Sequence, residues 1–304
     1  MSAPGSSPEA LGRAPALRLR ACGARSRELL ELAGLLCDVG LRGVRVDRPA
    51  VAARGPSVAI EECGGSGAAQ PGWQLWTLPS LLHTRRPGLA VTILAAEPAR
   101  PDAEVLRAVR EVPAPRRARG VRRLRGWGPQ DPVAFRAGLA EAHSPATIEE
   151  CGVLRTVGCL LQRPRACDLI VAPPRAAARV AALTQTLAGP GVLATELRVE
   201  GPRVVARARG PGVSGLLLAT ARALGGAGRV SAQRALLDGW LCALEDGVGH
   251  DRLPLLAPRQ ASRTGDAFLA AVRERLGRRP RWVRHPFLPA PAKASGSRLR
   301  LLAG

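Results

Sequence analysis

Apolar and polar positions along this chain follow two spacings, and the change between them marks its elements. Leu169-Ile170-Val171 is an unbroken apolar run stopped by Pro173-Pro174. Short continuous runs of this kind suit a strand buried on both faces. The residues that follow, up to Ala188, take helical spacing in Ala, Leu and Val and close at Gly189-Pro190-Gly191. A second block, Gly212 to Leu276, predicts two helices around the turn Gly225-Gly226-Ala227-Gly228, then a polar segment and a last amphipathic helix opened by Gly265. Upstream, Arg27–Leu41 has helical spacing, while Val44–Val46, Ser57–Ile60, Gln74–Leu78 and Leu89–Leu94 predict strands. Pro98–Arg119 reads as a polar, Pro- and Arg-rich stretch, and residues 1–15 as a disordered or targeting segment. A buried strand feeding a helix, followed by a helical hairpin, is the signature of an α/β fold.

These blocks carry a resemblance. The segment Cys167–Ala194, with its closing Leu187-Ala-Gly-Pro-Gly-Val-Leu-Ala194, resembles the strand, helix and Gly-Pro-Gly turn of the isocitrate/isopropylmalate dehydrogenase family. Leu217-Leu218-Ala219-Thr220 is similar to a helix of that family, and Leu78–Leu94 to its Leu-Pro loop and following strand. Within the family the chain is most like the gamma-type non-catalytic subunit of mitochondrial NAD-dependent isocitrate dehydrogenase. The resemblance implies a two-domain α/β fold with a shortened second domain. It places residues 16–94 and 193–277 in a large domain, residues 95–192 in a smaller one, and residues 278–304 in a basic, Pro-rich tail beyond the fold. In the family, the segment replaced by Pro98–Arg119 builds the clasp between partner subunits.

The chemistry that the resemblance implies is not carried over with the fold. Family members transfer protons with a Lys and a Tyr, yet this chain has no Tyr, and its only Lys is Lys293. Arginine stays protonated and shuttles protons poorly. The family holds Mg²⁺ or Mn²⁺ with Asp carboxylates, hard oxygen ligands; the matching positions here are Leu154, Ala178 and Ala182. The arginines that would clamp substrate carboxylates fall on Gly64–Ala69 and Ala95, and the Asn-Pro of the adenine site on Gly212-Val213. The expectation is therefore no catalytic, cofactor-binding or metal-binding residue, no bound NAD or divalent cation, and no catalytic activity of its own.

Charge changes the picture more than length does. The net charge is +21 at pH 7, almost all from Arg. It opens an alternative reading, an Arg-rich protein that binds nucleic acid or an acidic partner on the same fold. Two clusters stand out: Arg116, Arg117, Arg119, Arg122, Arg123 and Arg125 near Trp127, and Arg278, Arg279, Arg281 and Arg284 around Trp282. No nucleic-acid-binding motif accompanies them. Against that alternative stands association with catalytic-type isocitrate dehydrogenase subunits in the mitochondrial matrix, which the family resemblance implies. Arg13, Arg18, Arg20, Arg25 and Arg27 faintly resemble a matrix-targeting peptide.

The remaining candidates have plain structural explanations. Seven cysteines occur with no Cys-x-x-Cys pair, an odd count that suits reduced thiols. Cys151, Cys159 and Cys167 recur every eight residues, as small buried apolar groups would. Ile-Glu-Glu-Cys occurs at 60–63 and at 148–151, which exposed strand ends explain more cheaply than a paired-carboxylate site. Gly64–Gly67 and Gly225–Gly228 read as turns, since neither joins a strand to a helix as a phosphate loop does. His83 and His143 have no acidic partner in view. No apolar run reaches the length of a membrane span.

Overall fold

The computed structural model describes residues 17–20, 26–41, 45–46, 57–60, 71–78, 88–97, 102–111, 120–124, 132–142, 147–189, 192–200, 203–209, 212–250, 262–283 and 285–287. Ten strands form one mixed sheet. In chain order they are β1 (Leu17–Arg20), β2 (Arg45–Val46), β3 (Ser57–Ile60), β4 (Gly72–Thr77), β5 (Ala90–Ala95), β6 (Gly120–Leu124), β7 (Thr147–Cys151), β8 (Leu169–Ala172), β9 (Val192–Glu200) and β10 (Arg203–Arg209). Their order across the sheet is β2-β1-β3-β10-β9-β4-β5-β8-β6-β7. Eight helices accompany them among the described residues: α1 (Ser26–Asp38), α2 (Asp102–Glu111), α3 (Pro132–Ala142), α4 (Val153–Gln162), α5 (Pro174–Ala188), α6 (Gly212–Gly226), α7 (Val230–Glu245) and α8 (Gly265–Arg273). Two short strands, β11 (Gly249–His250) and β12 (Ser262–Arg263), pair apart from the sheet.

The apolar run Leu169-Ile170-Val171 lies inside the sheet, parallel to β5 on one side and β6 on the other. All four residues of β8 are buried, and its pleat shows why. Ile170 and Ala172 join a core with α4 and α5, whereas Leu169 and Val171 join a different core with α2 and α3. Because successive side chains point to opposite faces, a strand covered on both sides must be apolar throughout. β5 repeats the arrangement, with Ile93 on the α5 side and Leu94 on the α2 side.

The third core is the largest. It gathers α1, α6, α7 and α8 over β3, β9 and β10, with Trp240 and Phe268 fully buried. β9 links the two regions: Val192 and Ala194 pack with α5 residues, while Leu193 and Leu197 pack with α6 residues. The strand and helix of 167–188 and the helices of 212–245 therefore pack about one sheet.

The expected helical hairpin forms. α6 and α7 run antiparallel across Gly225–Gly228, where Gly228 takes φ 76, a left-handed turn that favours glycine. Trp240 Nε1, late in α7, donates to Ser214 Oγ, early in α6, at 3.1 Å. Gly226 sits close to the sheet, since a Cβ there would stand 2.9 Å from Val204.

Two expectations need correcting. The stretch Pro98–Arg119, read as polar, contains α2, whose Val105, Ala108 and Val109 are buried at i, i+3, i+4 spacing. Flanking Pro and Arg residues dilute that pattern in the sequence. The segment from Arg278, read as a tail beyond the fold, packs back on it through residue 287. The Glu245 carboxylate accepts hydrogen bonds from the backbone amides of Arg281, Trp282 and Val283 at 2.7, 2.6 and 2.7 Å. Phe287 is 4% exposed and belongs to the largest core. Residues 1–15, the first of the two arginine clusters apart from the backbone of Arg122 and Arg123, and Gly64–Ala69, His83, His143, Arg284 and Lys293 lie outside the described residues or their described side chains. Among the described residues no helix is long and apolar enough to cross a membrane.

Candidate functional site

β7 ends at Cys151, and after Gly152, in extended conformation, the chain turns into α4. α4 buries Thr156, Val157 and Leu160 and turns its other side outward. Between that outward side and β7 lies an open cleft of about 420 Å³, lined by Glu149, Arg155, Gly158, Cys159, Gln162 and Arg163. Gly158 leaves the floor clear, because a Cβ there would meet nothing within 4 Å. Glu149 is half-buried, and Cys151 Sγ donates to its Oε2 at 3.7 Å. Two guanidinium groups, a carboxamide, a carboxylate and a thiol suit a small polar or anionic ligand. Among the described residues the lining holds no Lys, Tyr or His.

The second Ile-Glu-Glu-Cys copy thus lies on a strand at one edge of the sheet, with Glu150 exposed and Glu149 turned to the cleft. Of the first copy only Ile60 is described, buried in β3. The eight-residue cysteine rhythm places Cys151 and Cys167 in the interior, but Cys159 is half-exposed in the cleft wall.

The positions matched to the family's metal ligands lie on α4 and α5. Leu154 is 79% exposed at the start of α4, and Ala178 and Ala182 are half-buried on α5. None of the three offers an oxygen donor, so they do not fit a Mg²⁺ or Mn²⁺ ion, which takes hard oxygen ligands. Among the described residues no three His, Cys, Asp or Glu side chains are gathered as metal ligands would be. Ala95 is buried in β5. Gly212 opens α6 with φ 49, and Val213 is buried beside it.

A second concentration of chemistry is one that sequence reasoning missed. Arg222 interrupts the otherwise apolar helix α6, and both its Nε and the Nδ1 of His285 are closed from solvent without a hydrogen-bond partner. Burial lowers the guanidinium of Arg222 to about 10. Burial first, and the charge of Arg222 second, push the His285 imidazole down to about 3, which keeps it neutral. The ring stands edge-on to Trp76 at 5.0 Å and to Phe287 at 5.6 Å, and Trp76 meets Trp240 at 6.3 Å. A lone Arg in an apolar helix was the visible signal; the imidazole whose protonation it opposes lay 63 residues ahead in a segment read as tail.

The second arginine cluster is partly committed. Asp246 accepts from Arg275 Nε at 2.8 Å and from Arg278 Nη1 at 2.9 Å, and these bonds hold its carboxyl below the usual carboxylate range. Arg279 and Arg281 remain exposed.

No family model matches the chain, and no curated protein matches it either. Solved structures do. Isocitrate dehydrogenase from Methylococcus capsulatus aligns with a TM-score of 0.51 at 11% identity, covering 82% of this chain and 95% of that one. The TT0538 protein from Thermus thermophilus aligns with a TM-score of 0.53 at 14% identity, covering 87% and 68%. A peripheral-stalk chain of the Euglena gracilis mitochondrial ATP synthase aligns with a TM-score of 0.47 at 14% identity, covering 85% and 99%. At these identities the likeness concerns the fold, and the chain has an α/β fold similar to that of isocitrate dehydrogenase.

Proposed function

We propose that this chain is a non-catalytic, regulatory-type or pseudoenzyme member of the NAD-dependent isocitrate dehydrogenase family, associating with catalytic-type subunits of the tricarboxylic acid cycle in the mitochondrial matrix. The observation that carries this reading is the set Leu154, Ala178 and Ala182: apolar side chains stand where the resemblance calls for cation ligands, on a fold similar to isocitrate dehydrogenase. Fold alone does not specify activity. A chain with no Tyr and with a single Lys near its end has no means for the proton transfers of that family.

Association is supported by what α4 and α5 leave uncovered. Leu154 is 79% exposed, Leu187 55% and Leu183 36%, on two helices that pack side by side. Large apolar groups left uncovered on two neighbouring helices suit a partner's helices better than water. The partner in this reading is a catalytic-type isocitrate dehydrogenase subunit.

The test has two arms. Pure protein with isocitrate or isopropylmalate, NAD and Mg²⁺ is expected to form no NADH. Turnover that disappears on mutating a single carboxylate would overturn the non-catalytic reading. In pull-downs from about 50 to 300 mM salt, catalytic-type subunits are expected to be retained throughout, and to be lost from a Leu154→Glu/Leu187→Glu variant. Failure to retain them at any salt would overturn the association.

A further inference from the structure

After α8 the chain turns at Gly277, whose φ of 82 favours glycine, and runs back across the end of α7. Two anchors fix this return. On one side the Glu245 carboxylate holds three consecutive amides, those of Arg281, Trp282 and Val283. On the other, His285 and Phe287 pack against Trp76 and into the largest core. Between the anchors Trp282 is 82% exposed. A large aromatic ring is thus left in water on a backbone that is tied down, so presenting it carries little further loss of conformational freedom.

The charges around the ring are sorted in a particular way. The nearby acids are engaged: Asp246 by Arg275 and Arg278, and Glu245 by the three amides. Asp238 lies within the influence of Arg234 and Arg279. Arg281, the residue before Trp282, is exposed, as is Arg279 two residues earlier. The protein as a whole carries +21.

We propose that Trp282, Arg279 and Arg281 form a binding site for single-stranded nucleic acid, with the indole as a stacking platform and the guanidinium groups on the phosphates. An exposed aromatic side chain on a backbone that also carries exposed cations binds bases without regard to sequence, because every base has a π-face and every nucleotide a phosphate. A duplex hides its base faces, so the protruding ring selects unpaired strands. An acidic protein surface would satisfy the arginines but would leave the flat indole without a matching partner. This activity is independent of subunit association, since it uses the end of α7 and the return segment rather than α4 and α5.

The experiment is fluorescence anisotropy of the full chain with a labelled uridine oligonucleotide, an unlabelled duplex RNA and an acidic polypeptide serving as competitors. Trp282→Ala is expected to weaken binding by about 5- to 100-fold, while Trp282→Phe retains most of it. Arg279→Gln/Arg281→Gln is expected to flatten the slope of log affinity against log salt by about 1.4, two phosphate contacts on a single strand. Circular dichroism confirms that each variant folds, and the exposure of all three side chains makes that outcome expected. Equal affinity of wild type and Trp282→Ala, competition by duplex as strong as by single strand, or preferential capture by the acidic polypeptide would overturn the proposal.

Discussion

Two regions of the sheet are covered by different materials. Over β3, β9 and β10, the helices α1, α6, α7 and α8 enclose leucines with Trp76, Trp240, Phe268 and Phe287. Arg273 is hydrogen-bonded to Asp38, tying α8 to α1, and Arg275 and Arg278 meet at Asp246 beyond α7. Under α4 and α5 the core is mostly Ala and Val with a few Leu and Ile and one Cys, and the buried hydroxyls of Thr156 and Thr184 lie on the same helices. Large aromatic and leucine side chains remove far more apolar surface from water than Ala does. The first region is therefore expected to be the more stable part of the molecule, and the second, with its cleft and exposed leucines, the less densely packed one. The same sheet serves both, so the difference lies in side chains and not in topology.

The largest blow to the comparison comes from Trp240→Ala. Trp240 is fully buried, packs edge-on against Trp76 and donates to Ser214. Its truncation is expected to lower stability by about 3–5 kcal/mol, and also leaves the Ser214 hydroxyl without that donor. In the thinner region, Val157→Ala removes only two methyl carbons and is expected to cost about 1–2 kcal/mol by the same transfer-plus-cavity reasoning. Urea denaturation of both variants checks the difference; equal losses would mean that the two regions are equally well packed.

Acid should act on the first region through His285. In the unfolded chain its imidazole titrates near its ordinary value of 6.5, but in the folded protein burial and Arg222 lower it to about 3. Protons then bind the unfolded state more readily between these values, so folding weakens as pH falls through that window. The contribution is present in full above pH 6.5 and is lost at up to about 1.4 kcal/mol per pH unit below it. Among the described residues the groups facing the ring are Arg222, Trp76 and Phe287, and none of them provides an anion. Carboxylates elsewhere titrate in the same range, so the measurement is the difference in unfolding free energy between wild type and His285→Phe from about pH 7 to about pH 4. Parallel curves would show that the imidazole is not kept neutral in the folded chain.

What could be read from the residues follows from how local each signal is. Ser57–Ile60 is β3 to the residue, and Leu169–Val171 is all but the last residue of β8, because an apolar run between breakers needs no distant information. α6 and α7 were legible through their helical spacing and the Gly-rich turn between them. α2 was hidden because its three buried residues sit among Pro98, Pro101, Pro113 and Pro115. The return of residues 278–287 onto the core was hidden for another reason. It depends on Glu245, whose side chain resembles any other acid at the end of an exposed helix until three amides 36 to 38 residues away are brought to it. The candidate site followed the same rule. The missing cation ligands were visible one residue at a time, whereas the cleft formed by β7 and α4, and the approach of Arg222 to His285, exist only after folding.

The smallest effect sharpens the comparison from the other side. Thr184 is fully buried on α5, and its Oγ1 has no hydrogen-bond partner; Thr156 on α4 is in the same position. Burying a hydroxyl without a partner costs free energy, since the bond it made to water is not replaced. Valine has nearly the same shape and no such cost. Thr184→Val is therefore expected to raise stability by about 1 kcal/mol, with Thr156→Val similar. A gain of this kind is available where the core is loosely specified; it is not available at Thr220 in α6, whose hydroxyl donates to the Leu216 carbonyl at 2.8 Å. Thr220→Val serves as the control and should be neutral or slightly destabilising. Thermal melts of the three variants decide the matter. A loss at Thr184 and Thr156 equal to that at Thr220 would mean that those hydroxyls do find partners, and that the region under α4 and α5 is as fully satisfied as the one under α6 and α7.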